Sequence, residues 1–125
     1  MTFRETLDKH LKAIRGRDLR SLIETLPDES LTLIMSDGRL VTTVREFVEL
    51  HRGWFEQATW SLDTEIAALQ EAPRMGFATI RLDYRDEPPG GEPIRQASLL
   101  TLIFALRGDR WEMVLDQNTP IKVPT

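Results

Sequence analysis

The chain has 125 residues, 41% hydrophobic and 29% charged, with a net charge of -4 and no cysteine. That length and balance describe one soluble globular domain, residues 1–125, with a core large enough to need no disulfide. The missing thiols exclude a cysteine nucleophile and cysteine-ligated zinc, and the acidic balance argues against nucleic acid as a partner.

The opening residues carry Arg4, Glu5 and Asp8 where a secretory signal needs an apolar run. The longest apolar stretch, residues 99–106, is interrupted by Thr101. It is far shorter than the ~20 residues of a spanning helix, so a cytoplasmic protein without membrane contact is expected.

Phe3, Leu7, Leu11 and Ile14 recur at helical spacing, which predicts a first helix over residues 2–15, ended by Gly16. Asp18 is placed to cap a second, short helix with Leu19, Leu22, Ile23 and Leu26 on one side, stopped by Pro27. Residues 31–35 read as a strand, followed by a tight turn at Ser36, Asp37 and Gly38 into Leu40 and Val41. Asp37, directly before a glycine, is most simply a turn residue. Thr43 and Glu46 have capping-box spacing and open a third helix whose stripe is Val44, Phe47, Val48, His51, Trp54 and Phe55.

Four strand-like segments follow with only turn chemistry between them, which dictates antiparallel pairing. In residues 59–69, Trp60, Leu62, Ile66 and Ala68 alternate with polar residues; in 75–86, Ala78, Ile80, Leu82 and Tyr84 do so. Residues 94–107 are apolar on both faces, with Leu100, Leu102, Phe104 and Leu106 on one and Leu99, Ile103 and Ala105 on the other. In the last strand Trp111, Met113 and Leu115 fall on one side and Val114, Asp116 and Asn118 on the other. The class is therefore α+β: helices first, then a strongly curved, mainly antiparallel sheet that they cover, a cone with a pocket.

Chemistry-bearing residues are few. His10 and His51 each project from an apolar helix stripe, where an imidazole is either a donor or base at a pocket wall or a core histidine satisfied by a carbonyl or carboxylate. They lack metal-binding spacing, so no metal is expected, and the absence of a phosphate-binding glycine loop implies no cofactor. Asp116, flanked by Gln117 and Asn118, interrupts an apolar strand; facing a cavity it would have a raised pKa suited to acid/base work, and facing solvent it would pair with an arginine. Trp54, Trp60 and Tyr84 supply aromatic wall material.

The order of helix, helix, strand pair, helix and four long strands resembles the nuclear transport factor 2-like superfamily over nearly the whole chain. The local matches are Gly16-Arg17-Asp18-Leu19, the segment from Gly108 to Leu115 around Trp111, and the ending Asp116 to Pro120, which looks like the SnoaL-like branch. In ketosteroid isomerases of that group a first-helix tyrosine precedes the second-helix aspartate as His10 precedes Asp18, so the resemblance implies a pocket-facing His10. The isomerase base lies near the first strand turn, where this chain offers only Asp37. Its second acid belongs to the penultimate strand, and residues 94–108 hold no Asp or Glu. A steroid-isomerase mechanism is thus not expected. The polyketide-cyclase pattern, acid/base work by one carboxylate, fits Asp116.

The expectation is a small-molecule-binding protein or an acid/base enzyme of the isomerase, cyclase or dehydratase class, acting on a compact apolar or aromatic carbonyl compound. Asp116 and His10 are its catalytic candidates; His51, Trp54, Trp60, Tyr84, Gln117 and Asn118 would contact the ligand. The alternative is a non-catalytic dimeric association or ligand-sensing module. In either case a homodimer through the outer sheet face, at Leu99 and Ile103, is expected, because no helix remains to cover that face.

Overall fold

The computed structural model describes residues 1–123. Helix α1 spans Phe3–Arg15. Thr2 caps it, with its hydroxyl accepting from Glu5 N–H while the Glu5 carboxylate accepts from Thr2 N–H. Gly16 ends it, and Arg17 turns the chain with a φ of 55°. Helix α2 is Leu19–Ile23, capped by Asp18. It stops before reaching Pro27, because Thr25 and Leu26 tighten onto Leu22 and Ile23 with three-residue bonds. This turn frees the Thr25 carbonyl to accept from Met113 N–H in the sheet.

Strands β1 (Ser30–Ile34) and β2 (Leu40–Thr43) form a hairpin. Helix α3, Val44–Phe55, starts where the Thr43 hydroxyl accepts from Glu46 N–H. Strands β3 (Trp60–Glu71), β4 (Met75–Asp86), β5 (Ile94–Arg107) and β6 (Arg110–Ile121) then run as an antiparallel meander. The sheet order is β2-β1-β6-β5-β4-β3, and β1 joins β6 in parallel, so the sheet is mixed.

Two bulges decide what faces inward. In β3 the pairing steps from Ile66 opposite Ile80 to Ala68 opposite Thr79, leaving Ala67 unpaired. Ala68 is consequently turned to the outer face and exposed, contrary to simple alternation. In β6 the pairing steps from Leu115 opposite Ile103 to Met113 opposite Phe104, with Val114 as the extra residue. Strict alternation puts Met113 and Asp116 on opposite faces. The bulge instead brings Trp111, Met113, Asp116 and Asn118 to the inner face and sends Leu115 and Gln117 outward.

The inner face carries the core. Phe3 of α1 meets Phe104 edge-on at 5.6 Å and Trp111 at 5.4 Å. Leu7, Leu22, Phe47, Ile80 and Leu102 are fully buried. Helices and inner face close on each other near the far end of α1, where a space remains.

Candidate functional site

That space is a cavity of about 260 Å³ whose wall is largely Leu, Ile, Met and Trp side chains from α1, α3 and the inner sheet face. Its polar lining is Ser36, His51, Thr64, Asp116 and Asn118. The cavity opens beside a wider groove of about 660 Å³, which shares Met35, Ser36, Trp54 and Asn118 with it and adds Asp37, Tyr84 and Gln96.

Asp116 sits opposite Leu102 on the inner face and is 4% exposed. Its Oδ1 accepts from Asn118 Nδ2 at 3.1 Å, and Asn118 also reaches the Ile34 carbonyl of β1 at 3.4 Å. Among the described residues no Lys or Arg lines the cavity. Burial therefore dominates and pushes the Asp116 carboxyl up to about 7, against a smaller opposing effect of the Asn118 bond. At neutral pH this group stands near half-protonation, which suits it to give or take a proton.

His51 lies one turn beyond Phe47 on α3. Its Nδ1 is 2.8 Å from the Phe47 carbonyl, its ring stacks on Phe47 at 4.0 Å, and Trp54 meets its edge at 6.0 Å. Burial lowers its pKa despite the carbonyl contact, so the imidazole is neutral at physiological pH. Trp54 stacks on Trp60 at 4.2 Å, and the Trp60 indole N–H donates to the Trp54 carbonyl. The Arg17 guanidinium covers the Trp60 ring at 4.1 Å and donates to the Trp60 carbonyl. Trp60 thus supports the wall from behind rather than forming it.

The sequence candidates separate in space. His51, Trp54, Asp116 and Asn118 line the same cavity. Tyr84 lines the outer groove, where its hydroxyl is 3.3 Å from Asp86. Gln117 is exposed on the outer face, opposite Thr101, and cannot contact a ligand inside. His10 is completely buried but does not reach the cavity wall; its Nδ1 lies 2.8 Å from the Thr25 hydroxyl and its ring meets Phe104 edge-on. The helical stripe divides here, with Leu11 and Ile14 turned to the cavity and His10 turned to the segment after α2. Asp37 accepts from Arg39 N–H in its turn, with Gly38 at a φ of 89°. Thr64 is a wall residue that sequence reasoning passed over, although its place between Leu62 and Ile66 marks it as inward-facing. Among the described residues no three His, Asp or Glu side chains converge as a metal site. Among the same residues no helix is long and apolar enough to cross a membrane.

No protein-family model and no curated protein matches the chain. Solved structures do. A ketosteroid isomerase-like protein from Erwinia carotovora atroseptica has a TM-score of 0.77 at 16% identity, covering 96% of this chain and 94% of that one. A candidate dehydratase of the nuclear transport factor 2-like family from Streptomyces avermitilis has a TM-score of 0.78 at 11% identity, with 96% and 94% covered. A candidate calcium/calmodulin-dependent protein kinase type II association domain from Thiobacillus denitrificans has a TM-score of 0.80 at 17% identity, with 97% and 96% covered. The chain has the nuclear transport factor 2-like, cystatin-like fold. At these identities the likeness is one of fold, and fold alone does not carry an activity.

Proposed function

We propose that the protein binds a compact apolar or aromatic carbonyl compound in this cavity and acts on it by acid/base chemistry, in the isomerase, cyclase or dehydratase class. The observation that carries this reading is Asp116: a buried carboxyl in the wall of an apolar cavity that no Lys or Arg lines among the described residues, poised near neutral pH. An isomerase-like neighbour and a candidate dehydratase on the same fold agree with it. Enolisation is the step such enzymes share, so hydrogen–deuterium exchange beside the carbonyl of small ring ketones, followed by proton NMR, is the test. The unaltered protein should accelerate exchange, and Asp116→Asn should reduce that acceleration by about a hundredfold or more. Exchange no faster than in buffer, across a panel of such ketones, would exclude the chemistry.

A second reading, an association module, has its own support. Phe77, Ile103 and Leu115 stand opposite one another in an apolar row on the outer face, Phe77 is 37% exposed, and one neighbour is a candidate association domain. On this reading two copies pack these faces together, with Leu99 at the margin. Light scattering at micromolar concentration should give the dimer mass, and Ile103→Asp the monomer mass. A monomer from the unaltered chain would end this reading.

A further inference from the structure

We propose that His51, rather than His10, is the proton acceptor of this cavity, and that its ligand is an uncharged enolisable ketone held with its carbonyl oxygen on the Asp116 carboxyl and an adjacent C–H toward His51 Nε2. This rests on the acid/base reading above and assigns the base, the acid and the ligand charge within it.

The tautomers follow from the partners. A backbone carbonyl can only accept, so the 2.8 Å contact to the Phe47 carbonyl places the His51 proton on Nδ1. The lone pair is then on Nε2, which has no protein partner among the described residues, and the residue lies in the cavity wall. Stacking on Phe47, with edges of Trp54 and Phe55 at 6.0 and 5.9 Å, fixes the ring plane. For His10 the Thr25 hydroxyl is the arbiter. Its single proton goes to the Leu22 carbonyl at 2.6 Å, so its oxygen accepts from His10 Nδ1. His10 Nε2 is therefore also a bare acceptor, but it is sealed from solvent with no partner among the described residues. Burial pushes His10 down to about 3, making it a poor base as well as an unreachable one.

Opposite polarity comes from Asp116. Oδ1 is taken by Asn118, and Oδ2 has no protein partner among the described residues. The carboxyl keeps its proton up to about pH 7 and can donate it to a carbonyl oxygen. In the step itself, Nε2 takes the proton from the carbon beside the carbonyl, and that C–H electron pair forms the C=C bond. The C=O pair takes the Asp116 proton, giving a neutral enol between imidazolium and carboxylate. In deuterated water the imidazolium Nε2 proton is replaced by a solvent deuteron, and the reverse step delivers that deuteron to carbon while the enol proton returns to Asp116. The surrounding charged and titratable groups do not offer a better base. His10 on α1 is sealed. Arg15, at the end of α1, is held by the Thr64 hydroxyl of β3, and Arg39 of the β1–β2 turn lies against Met35 Sδ. Tyr84 of β4, Asp37 of the turn and Arg95 of β5 border the outer groove, beyond the cavity. An anionic ligand would meet no Lys or Arg of the described residues in the cavity wall; an amine would pair with ionised Asp116, which is the opposing outcome below.

The probes are 2-tetralone (neutral), 2-naphthoate (anionic) and 2-aminotetralin (cationic), three bicycles of similar size. Calorimetry should show 2-tetralone binding tightest, with affinity flat below pH 7 and falling about tenfold per pH unit above it as Asp116 ionises. Deuteration of 2-tetralone should slow about a hundredfold in His51→Phe and stay within about threefold in His10→Gln. Long-range nitrogen–proton correlation spectra of the unaltered protein should show both Nε2 atoms unprotonated, and added 2-tetralone should shift only that of His51; this readout does not depend on any variant folding. Tighter binding of 2-aminotetralin, rising with pH, overturns the ligand assignment. Unchanged deuteration in His51→Phe, with Asp116→Asn inactive, overturns the base assignment while leaving the acid/base reading intact. A protonated His51 Nε2 overturns the inference alone, and absence of any exchange removes the reading and the inference together.

Discussion

Asp116→Asn should stabilise the fold at pH 8 by about 2–4 kcal/mol and change it little at pH 4. The sign follows from burial. The folded-state pKa of Asp116 is about 7 against an ordinary 3.8, so folding favours the protonated form. A carboxyl in that position costs nothing well below pH 3.8, costs progressively more as the pH rises, and reaches its full cost above pH 7. Each pH unit between the two values is worth about 1.4 kcal/mol, which sets the ceiling near 4 kcal/mol. Asparagine keeps the shape and the carbonyl that accepts from Asn118 but cannot ionise. His10 acts with the opposite slope. Its folded pKa of about 3 lies below the ordinary 6.5, so its contribution is present above pH 6.5 and is lost as the pH falls toward 3. That loss is common to both proteins and cancels in their difference. Urea unfolding at the two pH values measures it. A gain equal at pH 4 and pH 8, or a loss at pH 8, would mean that Asp116 is not held as a buried acid. The same variant is expected to slow proton exchange by about a hundredfold or more, so the residue would trade stability for chemistry.

The sequence made the elements legible because each carries its own local signal. Helical spacing and the Asp18 and Thr43 caps define the helix starts, although the structure makes Thr2 the cap of α1 rather than its first residue. Alternation and turn residues define the meander from β3 to β6. What alternation could not carry is a bulge. A single extra residue at Val114 reverses the phase of the rest of β6 and brings Asp116 to the same face as Met113, a change with no signal in composition. The parallel pairing of β1 with β6 was equally invisible, because the partners lie at opposite ends of the chain. The histidines show a third limit. Periodicity puts both on buried stripes, and it cannot say which side of a stripe meets a cavity. That depends on Thr25, whose turn after α2 captures His10, and on the Phe47 carbonyl, which orients His51.

Phe3→Ala should cost about 3–5 kcal/mol, because the ring is fully buried and three elements are built around it. It stands between Phe104 and Trp111, and its far edge lies on the backbone of β4 at Gly76. A Cβ added at Gly76 would come within 2.8 Å of the Phe3 ring, so the glycine is the seat of the ring rather than a flexible joint. Elsewhere in a strand, glycine to alanine gains about 0.4–1 kcal/mol by restricting the unfolded chain. Here Gly76→Ala should instead cost about 1–3 kcal/mol through overpacking. The two substitutions should not add. With the ring removed, the alanine methyl occupies vacated space, and the double variant should be at least about 1 kcal/mol more stable than the sum of the single losses implies. Chemical denaturation of the four proteins closes the cycle, and strict additivity would refute the seat. The consequence reaches the site, because Phe3 anchors the start of α1 while Leu11 and Ile14, two and three turns on, form cavity wall. Loosening that anchor should weaken 2-tetralone binding without touching His51 or Asp116, since the wall then has to be ordered at the moment of binding.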